Sequence, residues 1–208
     1  RNGVKAVRET TEAAAELGIK YLTLYAFSTE NWSRPKTEVN ALMSLLIQTV
    51  RKELSTLTKN NIRLQAIGDL SKLPKDTYNA LMDGIEKTKH HTRMTLVLAL
   101  NYSGKWEILE ATKKLALAAK NNDLRIEEID ESAFSDALST SGMPDPELLI
   151  RTSGEQRISN FLLWQIAYAE LRFFPIFWPD FRKEHLYEAI LDFQNRERRF
   201  GKTSEQVS

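Results

Sequence analysis

The sequence predicts an α/β protein, with a single domain in which helices flank a central, mostly parallel β-sheet. Short runs of apolar, aromatic and β-branched residues alternate almost throughout with longer segments whose apolar residues recur at helical spacing. Residues 94–100 form a nearly continuous apolar run. Such a run is typical of a strand that is covered on both faces in a parallel sheet.

The first half of the chain contains three predicted strands, each preceded by a predicted helix. Gly18 stops the first helix, and Asn60 and Asn61 break the second. In order, the sequence predicts a helix over 4–17, a strand over 21–27, a helix over 39–57, a strand over 62–67, a helix over 75–89 and a strand over 94–100. The stripe of Leu42, Leu46 and Val50 is compatible with core packing or with the lining of an apolar ligand site, and periodicity does not separate these alternatives.

The second half is predicted to contain helices over residues 106–119, 133–138 and 186–193, and a strand over 148–150 that ends at Arg151. Ser159 and Asn160 open an apolar segment that is compatible with the start of another helix. Arg196, Arg198 and Arg199 follow the last helix and are interpreted as a solvated helix end. We expect one domain over residues 1–201 and a polar tail over 202–208.

Composition excludes several classes of function. The 208 residues include 29 Lys and Arg and 28 Asp and Glu, for a formal net charge of +1, so a nucleic-acid binder that works by bulk charge is not expected. The chain has no cysteine, which rules out disulfides, thiolate metal ligands and cysteine nucleophiles. No apolar run is long enough to cross a bilayer.

Residues 150–165 carry the strongest functional signal, because two arginines and two serines follow a buried strand within a few positions. Arg151 is placed at the carboxyl end of that strand, where ligands bind in open α/β sheets. Together with Arg157, Ser159 and a helix N-terminus it would form an anion site, preferably for a phosphate or diphosphate. Alternatively, the arginines pair structurally with Glu155 or Glu170.

Residues 28–34 also follow the carboxyl end of a predicted strand, and we expect them to face the same crevice. Ser28 and Asn31 can hydrogen-bond a phosphate or water, and Arg34 adds positive charge. The alternative is a surface loop in which Asn31 caps a turn and Trp32 covers the edge of the core.

Glu170 lies in an otherwise apolar setting, where a carboxylate is unfavourable unless it is paired or binds a cation. A diphosphate site commonly needs Mg²⁺, which one or two carboxylates and phosphate oxygens can hold. The alternative is a salt bridge to Arg157 or Arg172.

Together these residues resemble the cis-prenyltransferase (isoprenyl transferase) family. The blocks are Phe-Ser-Thr-Glu-Asn-Trp-Ser-Arg-Pro at 27–35, Asn-Tyr-Ser-Gly at 101–104, residues 150–165 with 168–171, and Trp-Pro-Asp-Phe at 178–181 with residues 196–201. They occur in order and span nearly the whole chain, and the third block is very specific.

The resemblance implies a transferase that condenses isopentenyl diphosphate with an allylic diphosphate such as farnesyl diphosphate. The product would be a long polyprenyl diphosphate with cis double bonds, such as undecaprenyl diphosphate, the carrier lipid for cell-wall (peptidoglycan) synthesis. By motif, Asn31 matches the position that the family assigns to proton removal; because an amide is a poor base, we expect it to position a water or a phosphate oxygen. The implied substrate-binding residues are Ser28, Thr29, Glu30, Trp32, Arg34, Arg151, Arg157, Ile158 and Ser159.

The resemblance also implies Mg²⁺ as cofactor, with Glu170 contributing to its site. It implies a homodimer, and Glu170 could then act from the partner subunit. It further implies a tunnel for the growing chain, walled in part by the helix that starts at Ala41. The expected location is cytoplasmic, with peripheral contact to the inner face of the membrane through the lipid product, and no nucleic acid is expected as a partner.

One departure from the family pattern concerns the N-terminus. The family begins with a strand and an Asp-Gly-Asn-Gly-Arg-Trp-like loop that supplies the magnesium-binding aspartate, whereas Arg1-Asn2-Gly3 matches the point just after that region. We therefore expect the 208-residue polypeptide alone not to catalyse prenyl transfer. A second hypothesis is a non-catalytic subunit of a heteromeric enzyme, although such a subunit has less reason to keep Arg151, Arg157 and Ser159.

Overall fold

The computed structural model describes residues 2–200. Its helices and strands are α1 (Asn2–Glu16), β1 (Tyr21–Ser28), α2 (Lys36–Lys59), β2 (Ile62–Ile67), α3 (Lys75–Thr88), β3 (Met94–Tyr102), α4 (Gly104–Lys120), α5 (Glu131–Ala137), β4 (Leu148–Arg151), β5 (Glu170–Phe173) and α6 (Lys183–Gln194). Short 3₁₀ helices lie at Thr29–Ser33, Leu70–Lys72, Ile126–Glu128 and Trp178–Asp180.

The described residues fall into two compact units. The larger unit comprises residues 14–144 and 160–164, and the smaller comprises 2–13, 145–159 and 165–200. All strand pairs in both units are parallel, so the predicted α/β class with a parallel sheet and flanking helices is confirmed. The single domain over 1–201 stays a prediction, and residue 201 and the polar tail over 202–208 lie outside the described residues.

The larger unit contains a three-stranded sheet in the order β1-β3-β2. All nine residues of the central strand β3 are buried, as its continuous apolar sequence predicts. Helices α2 and α3 pack on β2 and on each other. Along α2, Val39, Met43, Val50 and Leu57 are buried, whereas Leu42 and Leu46 are half-buried, so of the predicted stripe only Val50 is fully in the core.

The carboxyl ends of these strands bring the polar loops of the larger unit together. Ser28 at the end of β1 is in register with Tyr102 near the end of β3. After β2, the chain turns at Gly68, whose φ is +114° and where a Cβ would lie 2.0 Å from the carbonyl oxygen of Leu100. Only glycine fits so close to a backbone. Asp69 then donates its backbone N–H to the carbonyl oxygen of Asn101.

The smaller unit contains the parallel pair β4 and β5, in register from Leu148 with Glu170 to Arg151 with Phe173. The sequence pattern did not reveal β5, which is only four residues long. Helix α6 buries Leu186 and Ala189. Near its start, the rings of Phe174, Phe181 and His185 contact one another at centroid distances of 5.5–5.8 Å.

The sequence is compatible with a helix that starts at Ser159, and this expectation is wrong. The backbone forms turns over residues 159–168, with positive φ at Ser159 (+49°), Asn160 (+62°) and Leu162 (+46°). A right-handed helix does not include left-handed residues. Leu162 and Ile166 are nevertheless buried, and Phe161, Leu163 and Trp164 are half-buried, which explains why the sequence resembles a helix with an N-cap.

Candidate functional site

The polar turn after β1 is a 3₁₀ helix at Thr29–Ser33. The amide oxygen of Asn31 accepts the backbone N–H of Ser28 at 2.9 Å, and the hydroxyl of Ser33 donates to the carbonyl oxygen of Glu30 at 2.7 Å. These bonds satisfy backbone groups that a short helix leaves without partners. Asn31 therefore does cap the turn, as one of the sequence interpretations had it.

Trp32 is held from two sides. Its ring lies edge-on to Phe27, with centroids 5.0 Å apart, and its Nε1 donates to the side-chain oxygen of Asn101 at 2.7 Å. Asn101 is only 2% exposed, has a φ of +46°, and donates from Nδ2 to the carbonyl oxygen of Asp69 at 2.8 Å. Trp32 remains 38% exposed, so its indole is oriented by a buried amide while part of its surface faces solvent.

Glu30 accepts a hydrogen bond from the side chain of Asn160 at 2.8 Å. Partial burial raises the pKa of the Glu30 carboxyl, but hydrogen bonds from Asn160, from the backbone of Glu30 and from the hydroxyls of Ser28 and Thr29 outweigh it and hold the pKa below its usual value. Glu30 is thus an oriented, ionised carboxylate. Its charge and, above all, burial raise the pKa of Tyr25, on the preceding strand, to about 12.

Arg34 follows the turn and pairs with Glu38 one helical turn away, at 2.8 Å. Both side chains are about half exposed. Such surface pairs contribute roughly 0–1 kcal/mol, so this guanidinium can exchange its partner for an anion at little cost.

The smaller unit contains the candidate anion-binding residues. Arg151 ends β4, and its Nη1 donates to the hydroxyl of Ser159 at 3.0 Å. The turn between them has positive φ at Ser153 and Gly154, and the backbone N–H groups of these two residues donate to the carbonyl oxygens of Ile176 and Phe174. Two of the three predicted anion-binding side chains therefore lie together, on a loop that is fixed through its backbone.

Arg157 pairs with Glu155, and its side chain is 62% exposed. This ion pair is one of the structural alternatives that the sequence left open. Ile158 is half-buried. The helix N-terminus expected at Ser159 is absent from this segment, so positive charge at this loop comes from the guanidinium groups rather than from a helix dipole.

Glu170 pairs with Arg196, which neither sequence alternative named. The distance between Glu170 Oε2 and Arg196 Nη1 is 2.8 Å, and Arg196 also contacts Asp192 at 2.6 Å. The hydrogen bond that Arg196 donates to Glu170 is the largest cause of a raised pKa at Arg196. Arg172, one expected partner, pairs with Glu188 instead. Arg196 is therefore not a freely solvated helix end.

The expected magnesium site includes Glu170, which is paired with a cation. Across residues 2–200, no group of three or more His, Asp or Glu side chains is placed to hold a metal ion. Glu170 offers a single carboxylate with a guanidinium at 2.8 Å, whose charge opposes a cation.

Within residues 2–200, no helix combines the length and apolar character needed to span a bilayer.

Sequence reasoning missed two residues that orient the turn after β1, namely Asn101 and Asn160. Both were included in family blocks but were not assigned a role. Both are asparagines with positive φ, a conformation in which asparagine is enriched. An asparagine near the end of a strand or within a loop was the only local signal that could have pointed to them.

Comparison with known proteins assigns the chain to an enzyme family. Residues 1–201 match the family model described as "Putative undecaprenyl diphosphate synthase". An isoprenyl transferase of Chlorobaculum tepidum is 55% identical over 205 residues, which cover 99% of this chain and 77% of the relative. A ditrans,polycis-undecaprenyl-diphosphate synthase ((2E,6E)-farnesyl-diphosphate specific) of Vibrio parahaemolyticus is 50% identical over 207 residues, or 100% of this chain and 82% of the relative.

A solved structure agrees with this assignment. The lavandulyl diphosphate synthase of Lavandula x intermedia, crystallised with dimethylallyl diphosphate, aligns with a TM-score of 0.94 and 36% identity over 97% of this chain and 87% of that one. The chain therefore belongs to the isoprenyl transferase (undecaprenyl diphosphate synthase) family, and the resemblance noted in the sequence is confirmed. Members of this family are transferases.

Proposed function

We propose that this protein catalyses cis-prenyl chain elongation, in which isopentenyl diphosphate is condensed with an allylic diphosphate, farnesyl diphosphate, to give a long polyprenyl diphosphate such as undecaprenyl diphosphate. Family membership and the names of relatives at 50–55% identity support the reaction class. The observation that carries the proposal is the arginine segment, residues 151–159. Arg151 ends a parallel strand, Arg157 and Ser159 follow it, and the Arg151–Ser159 and Arg157–Glu155 contacts are local and exposed.

Arg151, Arg157 and Ser159 bind isopentenyl diphosphate in this proposal, with Ile158 beside them and Arg34 as a further cation. Guanidinium groups suit diphosphate oxygens because their planar forks donate two hydrogen bonds at once. The Arg157–Glu155 and Arg34–Glu38 pairs are exposed, so exchanging each carboxylate for a phosphate requires little rearrangement.

Ser28, Thr29, Glu30 and Trp32 line the substrate site in the same proposal, and Asn31 assists proton removal from isopentenyl diphosphate. The amide oxygen of Asn31 already accepts the Ser28 N–H, and an amide is too weak a base to hold the proton. The role left to Asn31 is to orient, through its N–H₂ group, the water or phosphate oxygen that accepts the proton.

Mg²⁺ is our proposed cofactor, and when bound it would stabilise the charge on the leaving diphosphate. Glu170 is proposed as one contributing ligand, although its ion pair with Arg196 opposes a cation at that carboxylate. We further propose a homodimer in the cytoplasm, with peripheral contact at the inner face of the membrane during release of the lipid product.

The test is incorporation of labelled isopentenyl diphosphate into solvent-extractable lipid by the complete protein that the gene encodes, with farnesyl diphosphate and magnesium. A long polyprenyl product supports the proposal and gives the chain length directly. A folded, magnesium-loaded protein that makes no product would contradict it and favour a non-catalytic subunit. Asn31→Asp, which keeps the acceptor for Ser28, should stay folded yet lose most of its activity, because it lacks the N–H₂ group.

A further inference from the structure

Two oxygen atoms of Asn160 accept backbone N–H groups at the start of α4 and so fix this residue there. Its carbonyl oxygen accepts the backbone N–H of Gly104 at 2.7 Å, and its side-chain oxygen accepts that of Lys105 at 2.9 Å. These are two of the N–H groups that the first turn of a helix leaves without partners. The next residue, Phe161, stacks on Tyr25 with ring centroids 4.4 Å apart, which fixes the chain beside the amide.

The orientation of the Asn160 amide is determined by its neighbours. Its oxygen must face the N–H of Lys105, so its N–H₂ group must face the carboxylate of Glu30, to which it donates at 2.8 Å. Swapping the two ends would place an oxygen against a carboxylate and N–H₂ against N–H. The contact with Glu30 is therefore a directed hydrogen bond from a fixed donor.

Glu30 belongs to the same 3₁₀ turn as Asn31 and Trp32. Its backbone carbonyl accepts the hydroxyl of Ser33. Fixing the carboxylate of Glu30 therefore limits how the whole turn can tilt. Without Asn160, the turn keeps the Asn31 cap and the Trp32–Asn101 bond but loses the hydrogen bond that orients Glu30.

We propose that Asn160 is a positioning residue: its side-chain amide, fixed at the start of α4, orients Glu30 and so holds the Thr29–Ser33 turn in the conformation that binds substrate. This inference rests on the proposed function, which places Glu30 in the substrate site. Preorganisation of this kind lowers the ordering cost of binding, so its loss should raise KM for isopentenyl diphosphate more than it lowers kcat.

The decisive variant is Asn160→Asp in the complete protein. Aspartate tolerates positive φ and keeps an acceptor for Lys105, and its charge is favourable at a helix N-terminus. It nevertheless places an oxygen against Glu30 where the N–H₂ group was. We expect KM for isopentenyl diphosphate to rise about tenfold, the factor that a loss of roughly 1.4 kcal/mol would give, with little change in melting temperature. Asn122→Asp is the matched control, at an exposed asparagine with a φ of +60°.

Glu30→Gln tests the mechanism by exchanging donor and acceptor. In the double variant, the N–H₂ group of the glutamine can donate to the aspartate, so Asn160→Asp should raise KM less than threefold in the Glu30→Gln background. An equal rise in both backgrounds, or no rise in the single variant, would overturn the positioning role while wild-type activity stands.

A wild-type protein without prenyl transfer would instead overturn the proposed function. The same four proteins are then compared by the midpoint of urea unfolding, which needs no turnover. If the effects of the substitutions at positions 30 and 160 on the unfolding free energy are not additive, the Asn160–Glu30 contact is supported. Additive effects would overturn that contact too.

Discussion

The turn at Thr29–Ser33 and the arginine segment are held in opposite ways. Asn101 and Asn160 bind the turn from 69 and 130 residues away in the sequence. The side-chain partners of Arg151 and Arg157 are only eight and two residues away, and these contacts are exposed. The turn is thus fixed by tertiary structure, whereas the cationic side chains of the arginine segment have local partners that a ligand can replace.

This difference separates two requirements of a binding site. A group that must keep one orientation is best held by a buried partner, as Trp32 is by Asn101, because breaking such a bond leaves a polar atom unsatisfied at a cost of about 1–3 kcal/mol. The Asn160–Glu30 bond joins residues far apart in the sequence but is itself exposed. Groups that must capture an anion are best left with weak partners, since exposed ion pairs contribute only roughly 0–1 kcal/mol. Substitutions in the arginine segment should therefore affect activity alone, and those that break the Trp32–Asn101 bond should also affect stability.

Arg157→Ala should have the largest effect on activity. Removing a guanidinium that binds the diphosphate should lower kcat/KM for isopentenyl diphosphate by roughly 100-fold or more. The free energy of unfolding should change by no more than about 0.5 kcal/mol, because the side chain is exposed.

Arg125→Ala is the matched control for this prediction. Arg125 also forms an exposed ion pair close in sequence, with Glu128 at 2.7 Å, but it lies outside the proposed substrate-binding residues. Its substitution should leave kcat/KM near the wild-type value. Equal activity in the two variants, or a strongly destabilised Arg157→Ala protein, would remove the distinction between the arginine segment and the turn.

Trp32→Phe should lower the stability of the protein, because Trp32 is bonded to a buried partner. The variant keeps an aromatic ring against Phe27 but loses the donor to Asn101, whose oxygen is then left buried and unsatisfied. The free energy of unfolding should fall by about 1–3 kcal/mol in urea titrations.

Trp164→Phe provides a comparison with the same change of side chain. The Nε1 of Trp164 donates to the hydroxyl of Ser135 at 3.1 Å, and a hydroxyl can rotate towards another partner, whereas the Asn101 amide is fixed by its bond to Asp69. The loss at position 164 should therefore be the smaller of the two. The reverse order would mean that the Asn101 contact does not hold the turn.

The same contrast explains what the sequence could and could not predict. Periodicity and apolar runs located β1, β2, β3 and β4, because the burial of a strand or helix depends on its own residues. Ion pairs near in sequence were also foreseeable, as with Arg157 and Glu155. The contacts of Asn101 and Asn160 leave no local pattern, since they depend on which loops the sheet brings together.

Two of the wrong expectations have related causes. Leu162 and Ile166 are buried by a series of turns with left-handed residues, and composition alone does not distinguish that from a buried helix. The partner of Glu170 was sought at Arg157 or Arg172, but Arg196 reaches it from beyond α6. A charge in an apolar setting predicts that a partner exists, not which residue supplies it.

Tyr25→Phe should give the smallest effect, and one that depends on pH. The phenol donates to the carbonyl oxygen of Tyr102 at 2.9 Å, so its loss should lower the free energy of unfolding by about 0.5–1.5 kcal/mol at pH 8.

Burial, with the charge of Glu30, raises the pKa of Tyr25 to about 12, against about 10 in the unfolded chain. The folded state therefore favours the neutral phenol. The stability that it provides is complete below about pH 10 and is lost as the pH rises towards 12. Phenylalanine cannot ionise, so the gap between wild type and Tyr25→Phe should narrow from pH 8 to pH 11 in urea titrations, with Tyr78→Phe as a control at an exposed tyrosine. A gap that stays constant over this range would show that the ionised carboxylate of Glu30 and the burial of Tyr25 do not act on the phenol as the geometry requires, and would weaken the case for a rigidly held turn.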